Sequence, residues 1–307
     1  MILCCGEALI DLIPQGDTRV PHVGGAVLNT AVALGRLGED VAMLTGLSSD
    51  DYGRLIEDHG AASHVGFGPS VRSDRPTTLA VVTLVDGQAT YDFRDEGSAL
   101  RDIRPADMAP PPPGTQAIVF GGISLINPPV ADSLADYCRR HAGEALIMVD
   151  VNIRPGFITD PLTYRARLAA MIAVADILKV SDEDLAWLLP DAGSHADAFA
   201  ALLQMGPKMI VTTLGADGAE AIMASGLHVR VPSPAAQVAD TVGAGDTFNA
   251  GLLSGLRRAG RLDKAAFPAV SETELSEALS LGTRAAAVTV ARAGPNPPWA
   301  QELELEN

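Results

Sequence analysis

Apolar and polar positions along the chain fall into two rhythms. Short, continuous apolar runs at residues 2–5, 42–45, 117–120, 145–149, 177–180 and 209–212 have the length and composition of buried strands. Helical stretches near 130–142, 161–175 and 196–205 lie between the later runs. Strand alternating with helix from about residue 115 onward predicts a mostly parallel sheet covered on both faces. Earlier in the chain, 28–37 reads as a helix stopped by Gly38, a residue suited to the left-handed turn after a helix. Residues 78–85 and 88–93 flank Asp86-Gly87, a strong hairpin signal, and 219–223 with 228–231 form a second hairpin. Phe248, Leu252 and Leu256 recur at four-residue spacing, so a helix follows Asp246, and a long helix near 272–291 comes after it. Residues 110–113 are a stiff proline loop, and 295–307 read as a surface tail.

Composition narrows this picture. The 307 residues are 47% hydrophobic, enough for one large α/β domain or two small ones, with no internal repeat and no low-complexity region. The net charge of −16 comes from 22 basic and 38 acidic residues. An acidic chain without basic runs is a poor partner for nucleic acid or anionic membranes. Lys179, Lys208 and Lys264 are the three lysines, and none follows a glycine, which excludes a Gly-Lys-[Ser/Thr] phosphate loop. Cys4 and Cys5 are adjacent in the opening strand and point to opposite faces, and with Cys138 they form no disulfide framework. The histidines are scattered without zinc-ligand spacing. The opening segment lacks a charged leader, and no apolar run reaches membrane-spanning length, so a cytoplasmic, soluble enzyme is the expectation.

The chemistry concentrates in Asp240-Thr241-Val242-Gly243-Ala244-Gly245-Asp246, which opens the helix carrying Phe248. A small-residue turn feeding a helix N-terminus presents unpaired N–H groups and partial positive charge, an anion site that phosphate commonly occupies. Asp246 in isolation also reads as a helix N-cap. Beside a phosphate cradle, a carboxylate is useful where it takes a proton from an attacking hydroxyl. The second strong segment runs from Gly24-Gly25 through Asn29 to Gly38: a glycine turn that lets backbone approach a ligand, with Asn29 one turn into the helix, able to hydrogen-bond vicinal hydroxyls.

Together these segments resemble the two signatures of the ribokinase-like (PfkB) family of sugar and nucleoside kinases, D-T-x-G-A-G-D and G-G-x-x-x-N-x-A-x-x-x-x-x-L-G, in the family order and about 220 residues apart. The resemblance covers essentially the whole chain. It implies a single domain over 1–307 with a three-layer α/β/α core, and a small β-sheet lid formed by about 11–23 and 72–98. The lid region is taken to reach the glycine-rich stretch near 58–69, which the pattern does not place. Within the family the chain is most similar to bacterial fructokinases, through Gly6-Glu7-Ala8-Leu9-Ile10-Asp11, Tyr91-Asp92-Phe93-Arg94, Asp150-Val151-Asn152-Ile153-Arg154-Pro155 and Lys179-Val180-Ser181-Asp182-Glu183-Asp184.

That likeness implies direct in-line transfer of the ATP γ-phosphoryl group to a primary sugar hydroxyl, the 6-hydroxyl of D-fructose in fructokinases. Asp246 would be the base, and the amides of Gly243, Ala244 and Gly245 the anion hole. Asp11, Gly24, Gly25, Asn29, Arg94, Asn152 and Arg154 would hold the sugar. Lys179, Ser181, Thr213, Gly215 and Gly218 would serve the nucleotide, the last three in Thr213-Leu214-Gly215-Ala216-Asp217-Gly218, similar to the family's nucleotide loop. Ser181 and Asp184 stand where the family carries Asn-x-x-Glu, so magnesium support would fall to Asp184, with Glu183 as a substitute. Residues 291–296 resemble the adenine wall that, with Asp240, holds a monovalent cation such as K⁺ in many relatives. A homodimer through the lid is common among relatives. The alternatives are a 2-keto-3-deoxygluconate kinase of the same fold, whose acid would engage Arg94 and Arg154, and a non-catalytic sugar sensor. A Rossmann dehydrogenase is excluded, because the glycine motif lies late in the chain and lacks a third glycine.

Overall fold

The chain forms β1 (Ile2–Cys5), β2 (Leu9–Gln15), β3 (Thr18–Gly24), α1 (Ala26–Arg36), β4 (Val41–Leu44), β5 (Gly46–Ser48), α2 (Asp51–Ala61), β6 (Val65–Gly66), β7 (Val71–Ser73), β8 (Leu79–Val85) and β9 (Gln88–Arg94) in its first third. It continues with β10 (Ala117–Gly121), α3 (Val130–His141), β11 (Leu146–Asp150), α4 (Pro161–Ile172), β12 (Ile177–Ser181), α5 (Asp182–Leu188) and α6 (His195–Gln204). The last third holds β13 (Met209–Thr213), β14 (Ala219–Met223), β15 (His228–Val231), α7 (Ala244–Arg258) and α8 (Glu272–Val290). This computed structural model describes residues 1–85 and 88–305, and their side chains except those of 84, 85 and 88–91.

The large sheet has the order β15-β14-β13-β12-β11-β10-β1-β4-β6 and is parallel except for the two pairings that join β13, β14 and β15. Alternate residues of each strand enter opposite cores, as the period of a strand requires. Ile2 and Cys4 pack with Val119, Met148 and Val211 beneath α1, α7 and α8. Leu3 and Cys5 pack with Phe120, Val149 and Ile210 beneath α3, α4 and α6. The expected three-layer α/β/α core is therefore present, and the two adjacent cysteines face different layers. Every parallel strand ends on the same edge of the sheet, where open α/β sheets bind ligands.

A smaller sheet of order β3-β2-β8-β9 stands beside that edge, antiparallel except for the β2–β8 pair. Its strands run over 9–15, 18–24, 79–85 and 88–94, and so overlap much of the two segments 11–23 and 72–98. Residues 71–73 pair with β5 instead, because β7 lies parallel to Gly46–Ser48. The expected Asp86-Gly87 turn and the Tyr91 side chain lie outside the described residues.

Two sequence expectations are corrected. Residues 58–69 are not lid: they end α2 and form β6, which extends the large sheet beside β4. Residues 295–305 are not a loose surface tail. Arg36 Nη1 donates to Asn296 Oδ1 at 2.7 Å and to the Pro297 carbonyl at 2.8 Å, its guanidinium lies 5.3 Å from the Trp299 ring, and Leu303 is buried. Proline and acidic residues mask this docking in the sequence, since its apolar anchors are few.

The opposite edge of the sheet is clamped by buried Asp176, which accepts from Ile147 N at 2.8 Å, Lys264 Nζ at 2.6 Å and Lys208 Nζ at 2.8 Å. Lys264 lies just beyond α7, so this clamp ties the far end of that helix to β11 and β12. Asp176→Ala leaves the Ile147 N–H unpaired in the core and is expected to cost about 1–3 kcal/mol of stability. The urea midpoint should fall by the corresponding amount while the catalytic constants stay unchanged.

Candidate active site

Two clefts open along the carboxyl ends of the strands and meet at the start of α7. One, of about 610 Å³, lies between the β13–β14 turn, the 233–238 segment and α8. Its walls are Ala216, Pro234, Ala236, Val238, Ala286 and Val290, with Thr213, Gly215 and Gly218 at one end. An apolar lining of this kind, with a few polar groups at its end, is what a cleft for a ring-bearing small molecule presents. The other cleft, of about 410 Å³, is polar and is bounded by Asp11, Asn29, Asn152, Arg154, Lys179 and Asp246. Thr241 and Gly245 line both. A molecule in the first cleft and one in the second would therefore touch across the Gly243–Asp246 turn.

The turn is set by local geometry. Gly243 caps α7 in the left-handed conformation (φ 79°), which a side chain rarely adopts, and a Cβ there would sit 2.7 Å from Pro295 Cβ. Thr247 N bonds back to Gly243 O at 2.9 Å, so the α7 ladder starts at once, and of the amides before it that of Ala244 is engaged by the Thr241 carbonyl at 3.3 Å. Asp246, in the first turn, is buried, and its Oδ2 accepts from Asn29 Nδ2 at 2.8 Å. Burial pushes the Asp246 carboxyl up to about 7; the Asn29 hydrogen bond and Lys179 oppose this, and the Asp150 and Glu7 charges add to it. The result is a carboxylate poised as a proton acceptor near neutral pH, as a general base requires.

The polar cleft is built from three further pieces. Gly25 caps α1 at φ 110°, and a Cβ there would lie 2.8 Å from the Glu7 carbonyl, so the Gly24-Gly25 turn presses α1 against the end of β1. Asp11, on β2, leans over Gly24, where a Cβ would meet its Oδ2 at 2.3 Å. Burial raises the Asp11 carboxyl to about 6, and His22 opposes the rise. Beyond the end of β11, Asn152 takes a left-handed backbone (φ 38°), uncommon for a residue with a side chain and of the kind that collects at functional sites. Arg154 follows, exposed in the cleft, with its Nη1 on the Ile153 carbonyl at 3.0 Å.

The expected residues divide as follows. Asp246, Gly243, Gly245, Asp11, Gly24, Gly25, Asn29, Asn152, Arg154 and Lys179 surround the polar cleft. Thr213, Gly215, Gly218 and Ala244 line the apolar one. Lys179, expected beside the nucleotide, stands in the middle of β12 and lines the polar cleft. Arg94 is on the small sheet outside both clefts, 63% exposed and 3.6 Å from Asp92; its neighbour Phe93 turns in instead and packs on Phe157 at 4.6 Å between ring centres. Ser181 and Asp184 line neither cleft and form a capping box at the start of α5. Asp184 Oδ2 accepts from Ser181 N at 2.9 Å and from Ser181 Oγ at 2.8 Å, while its Oδ1 accepts from Ile153 N at 2.7 Å. Through that last bond the carboxylate fixes the loop carrying Asn152 and Arg154. Glu183 is exposed. Among the described residues no group of three or more His, Cys, Asp or Glu side chains is arranged to hold a metal ion. No described helix is long and apolar enough to cross a membrane.

Several contributors had no individual expectation attached. Glu7 and Gly122 line the polar cleft together. Buried Asn249 donates its Nδ2 to Asp150 Oδ2 at 2.6 Å, and Lys179 Nζ is 3.2 Å from the same oxygen. Asn249 was legible in principle, since it sits three residues after Asp246 and so on the same helix face. Glu7 and Gly122 carry no such signal, because they meet only through the pairing of β1 with β10.

Comparison with known proteins gives one consistent result. The model of the pfkB family carbohydrate kinases matches residues 1–302. A fructokinase of Rhizobium leguminosarum bv. trifolii is 44% identical over 280 residues, covering 90% of this chain and 85% of that protein. An aminoimidazole riboside kinase of Salmonella typhimurium is 32% identical over 300 residues, covering 94% and 88%. The crystal structure of a Xylella fastidiosa fructokinase with bound ATP superposes with a TM-score of 0.89 at 27% identity, over 99% of this chain and 97% of that one.

Proposed function

The chain belongs to the pfkB family of carbohydrate kinases, and on that premise we propose that it is a fructokinase, transferring the γ-phosphoryl group of ATP to the 6-hydroxyl of D-fructose. The observation that carries this reading is the meeting of an apolar slot and a polar cleft at Gly245 and Asp246. The base and ribose of ATP fit the slot lined by Ala216, Ala236 and Val290, which brings the phosphates to the Gly243–Gly245 amides. The sugar lies under Asp11, Asn29 and Asn152, with its reacting hydroxyl at Asp246.

In the transfer, the sugar oxygen forms a bond to phosphorus as the bond to the β-phosphate oxygen breaks, and that electron pair leaves with ADP. The hydroxyl proton goes to Asp246. An alcohol is a weak acid, so the proton moves late, and Asp246 acts by orientation and charge before it acts as acceptor. The anion hole stabilises charge on the phosphoryl oxygens. Magnesium bound with the nucleotide would supply charge neutralisation there. Asp184 belongs to this reading as the carboxylate that fixes the Asn152–Arg154 loop. A monovalent cation would be held by Asp240 and the 291–296 segment, which the bond from Gly294 N to Asp240 Oδ2 at 2.9 Å ties together. The small sheet closes as a lid over the sugar, and its exposed edge β3 is the surface along which two copies would pair.

The test is ADP release with magnesium-ATP against fructose, 2-keto-3-deoxygluconate, ribose and adenosine, with the product position read by phosphorus NMR. Selective turnover of fructose supports the reading. Selective turnover of the keto-acid keeps the mechanism and assigns Arg154 to its carboxylate. Because burial holds Asp246 near 7, and only its ionised form accepts a proton, kcat/KM should rise with pH and reach half its plateau near pH 7. A profile flat from pH 5.5 to 8 would remove Asp246 from the role of base.

A further inference from the structure

Beneath the anion hole lies a buried ion cluster that the mechanism above does not use. Lys179 is 5% exposed, yet it lines the polar cleft. Its Nζ is 3.2 Å from Asp150 Oδ2, and that oxygen also takes the Asn249 amide at 2.6 Å. The ammonium lies directly under the phosphoryl cradle, since a Cβ on Gly245 would meet it at 3.3 Å. Asp150 Oδ1 has no hydrogen-bond partner among the described residues. Burying a lysine and an aspartate costs several kcal/mol, and an apolar pair of similar volume would serve the core as well or better. The position of the charge, on the wall between base and anion hole, is what that cost maintains.

We propose that Lys179 is a catalytic residue whose ammonium contacts the non-bridging oxygens of the transferring phosphoryl group, and that Asp150 and Asn249 are positioning residues that hold it there. This rests on the kinase reading above. An ammonium has three donors, and Asp150 engages one, which leaves two for the developing phosphoryl charge. Burial alone would push the ammonium down; Asp150, Asp184 and Asp246 more than offset this and keep it protonated. Asn249 couples the cluster to the base, because it rides on α7 one turn after Asp246. As phosphoryl charge builds, Lys179 supplies in a dry site the cation that a phosphate-loop lysine supplies elsewhere.

The experiment compares Lys179→Met, Asp150→Asn and the double variant with the intact enzyme. Lys179→Met strands a buried carboxylate and can destabilise the fold. The double variant removes both charges with little change of volume and should melt like the parent. The expected result is a fall in kcat of about a hundredfold or more in both Lys179→Met and the double variant, comparable with loss of an oxyanion donor. The groups facing Asp246 are Asn29 from α1, Glu7 beyond β1, Asp150 from β11 and Lys179 from β12. Removing Lys179 should therefore move the acid limb of kcat/KM to higher pH, and Asp150→Asn should move it to lower pH. Calorimetry should find ATP binding to Lys179→Met weakened about tenfold or more relative to ADP binding. A stably folded double variant turning over within about threefold of the parent would overturn the proposal, as would acid limbs that move together. If the intact enzyme phosphorylates no sugar, the kinase reading fails by itself, and the ATP–ADP difference still decides the role of Lys179.

Discussion

Asp246→Asn is expected to lower kcat by about a hundredfold or more while the sugar KM changes by less than about threefold. The substitution is close to isosteric. Asn29 Nδ2 can still donate, to the new amide oxygen, so the link between α1 and α7 survives. The proton acceptor and its charge are lost. A hundredfold corresponds to about 2.7 kcal/mol of transition-state stabilisation, reasonable for a base that orients the hydroxyl and takes its proton late. Asp246 is also a stronger base than an ordinary aspartate, since burial and the nearby Asp150 and Glu7 charges raise it to about 7. Steady-state kinetics with varied fructose separates the two parameters. Near-normal kcat would sink the assignment, and a large rise in KM with kcat intact would make Asp246 a sugar ligand only.

Gly243→Val should be comparably severe by a different route. A β-branched side chain is disfavoured at φ 79°, and its Cβ would be placed 2.7 Å from Pro295 Cβ. Relief requires the turn to rotate, which swings the Gly243–Gly245 amides off the phosphoryl position and shifts the wall contributed by Pro295. Loss of one oxyanion donor costs about 10²–10³ in kcat, and this change disturbs several. Nucleotide affinity should fall along with kcat, which distinguishes it from Asp246→Asn. The turn lies at the surface of the cleft and outside both hydrophobic cores, so far-UV dichroism and the thermal midpoint should stay near the parent. A variant with normal ATP affinity and turnover would mean that the turn is not the phosphate cradle.

Much of the fold was legible because parallel strands buried on both faces are nearly uniform apolar runs, and the helices between them end at recognisable residues such as Gly38. The core strands from β10 to β13 fall within a residue or two of their expected bounds. The start of α1 falls at Ala26 instead of Leu28, since Gly25 supplies the helix boundary through its backbone angle and not through a capping side chain. Arg94 shows the opposite limit. On a strand, adjacent side chains point to opposite faces. Sequence placed Arg94 at the site, but the register of β9 on β8 decided that Phe93 turns toward Phe157 and Arg94 toward solvent. Ser181 and Asp184 likewise matched a motif, while their hydrogen bonds give them to the α5 cap and the Ile153 amide.

The α/β class, the family and the two glycine-rich segments with Asp246 and Asn29 are readable in local stretches, because each rests on residues close together in the chain whose backbone demands are local. The tertiary structure alone decided that Asn29 bonds Asp246 across 217 positions, and that Asp150, Lys179 and Asn249 from three elements share one buried oxygen. It also decided that Glu7 faces Gly122. Those contacts depend on strand order and on the rotation of α7 against the sheet, and strand order is fixed by how the whole chain buries its apolar surface, which no single segment encodes.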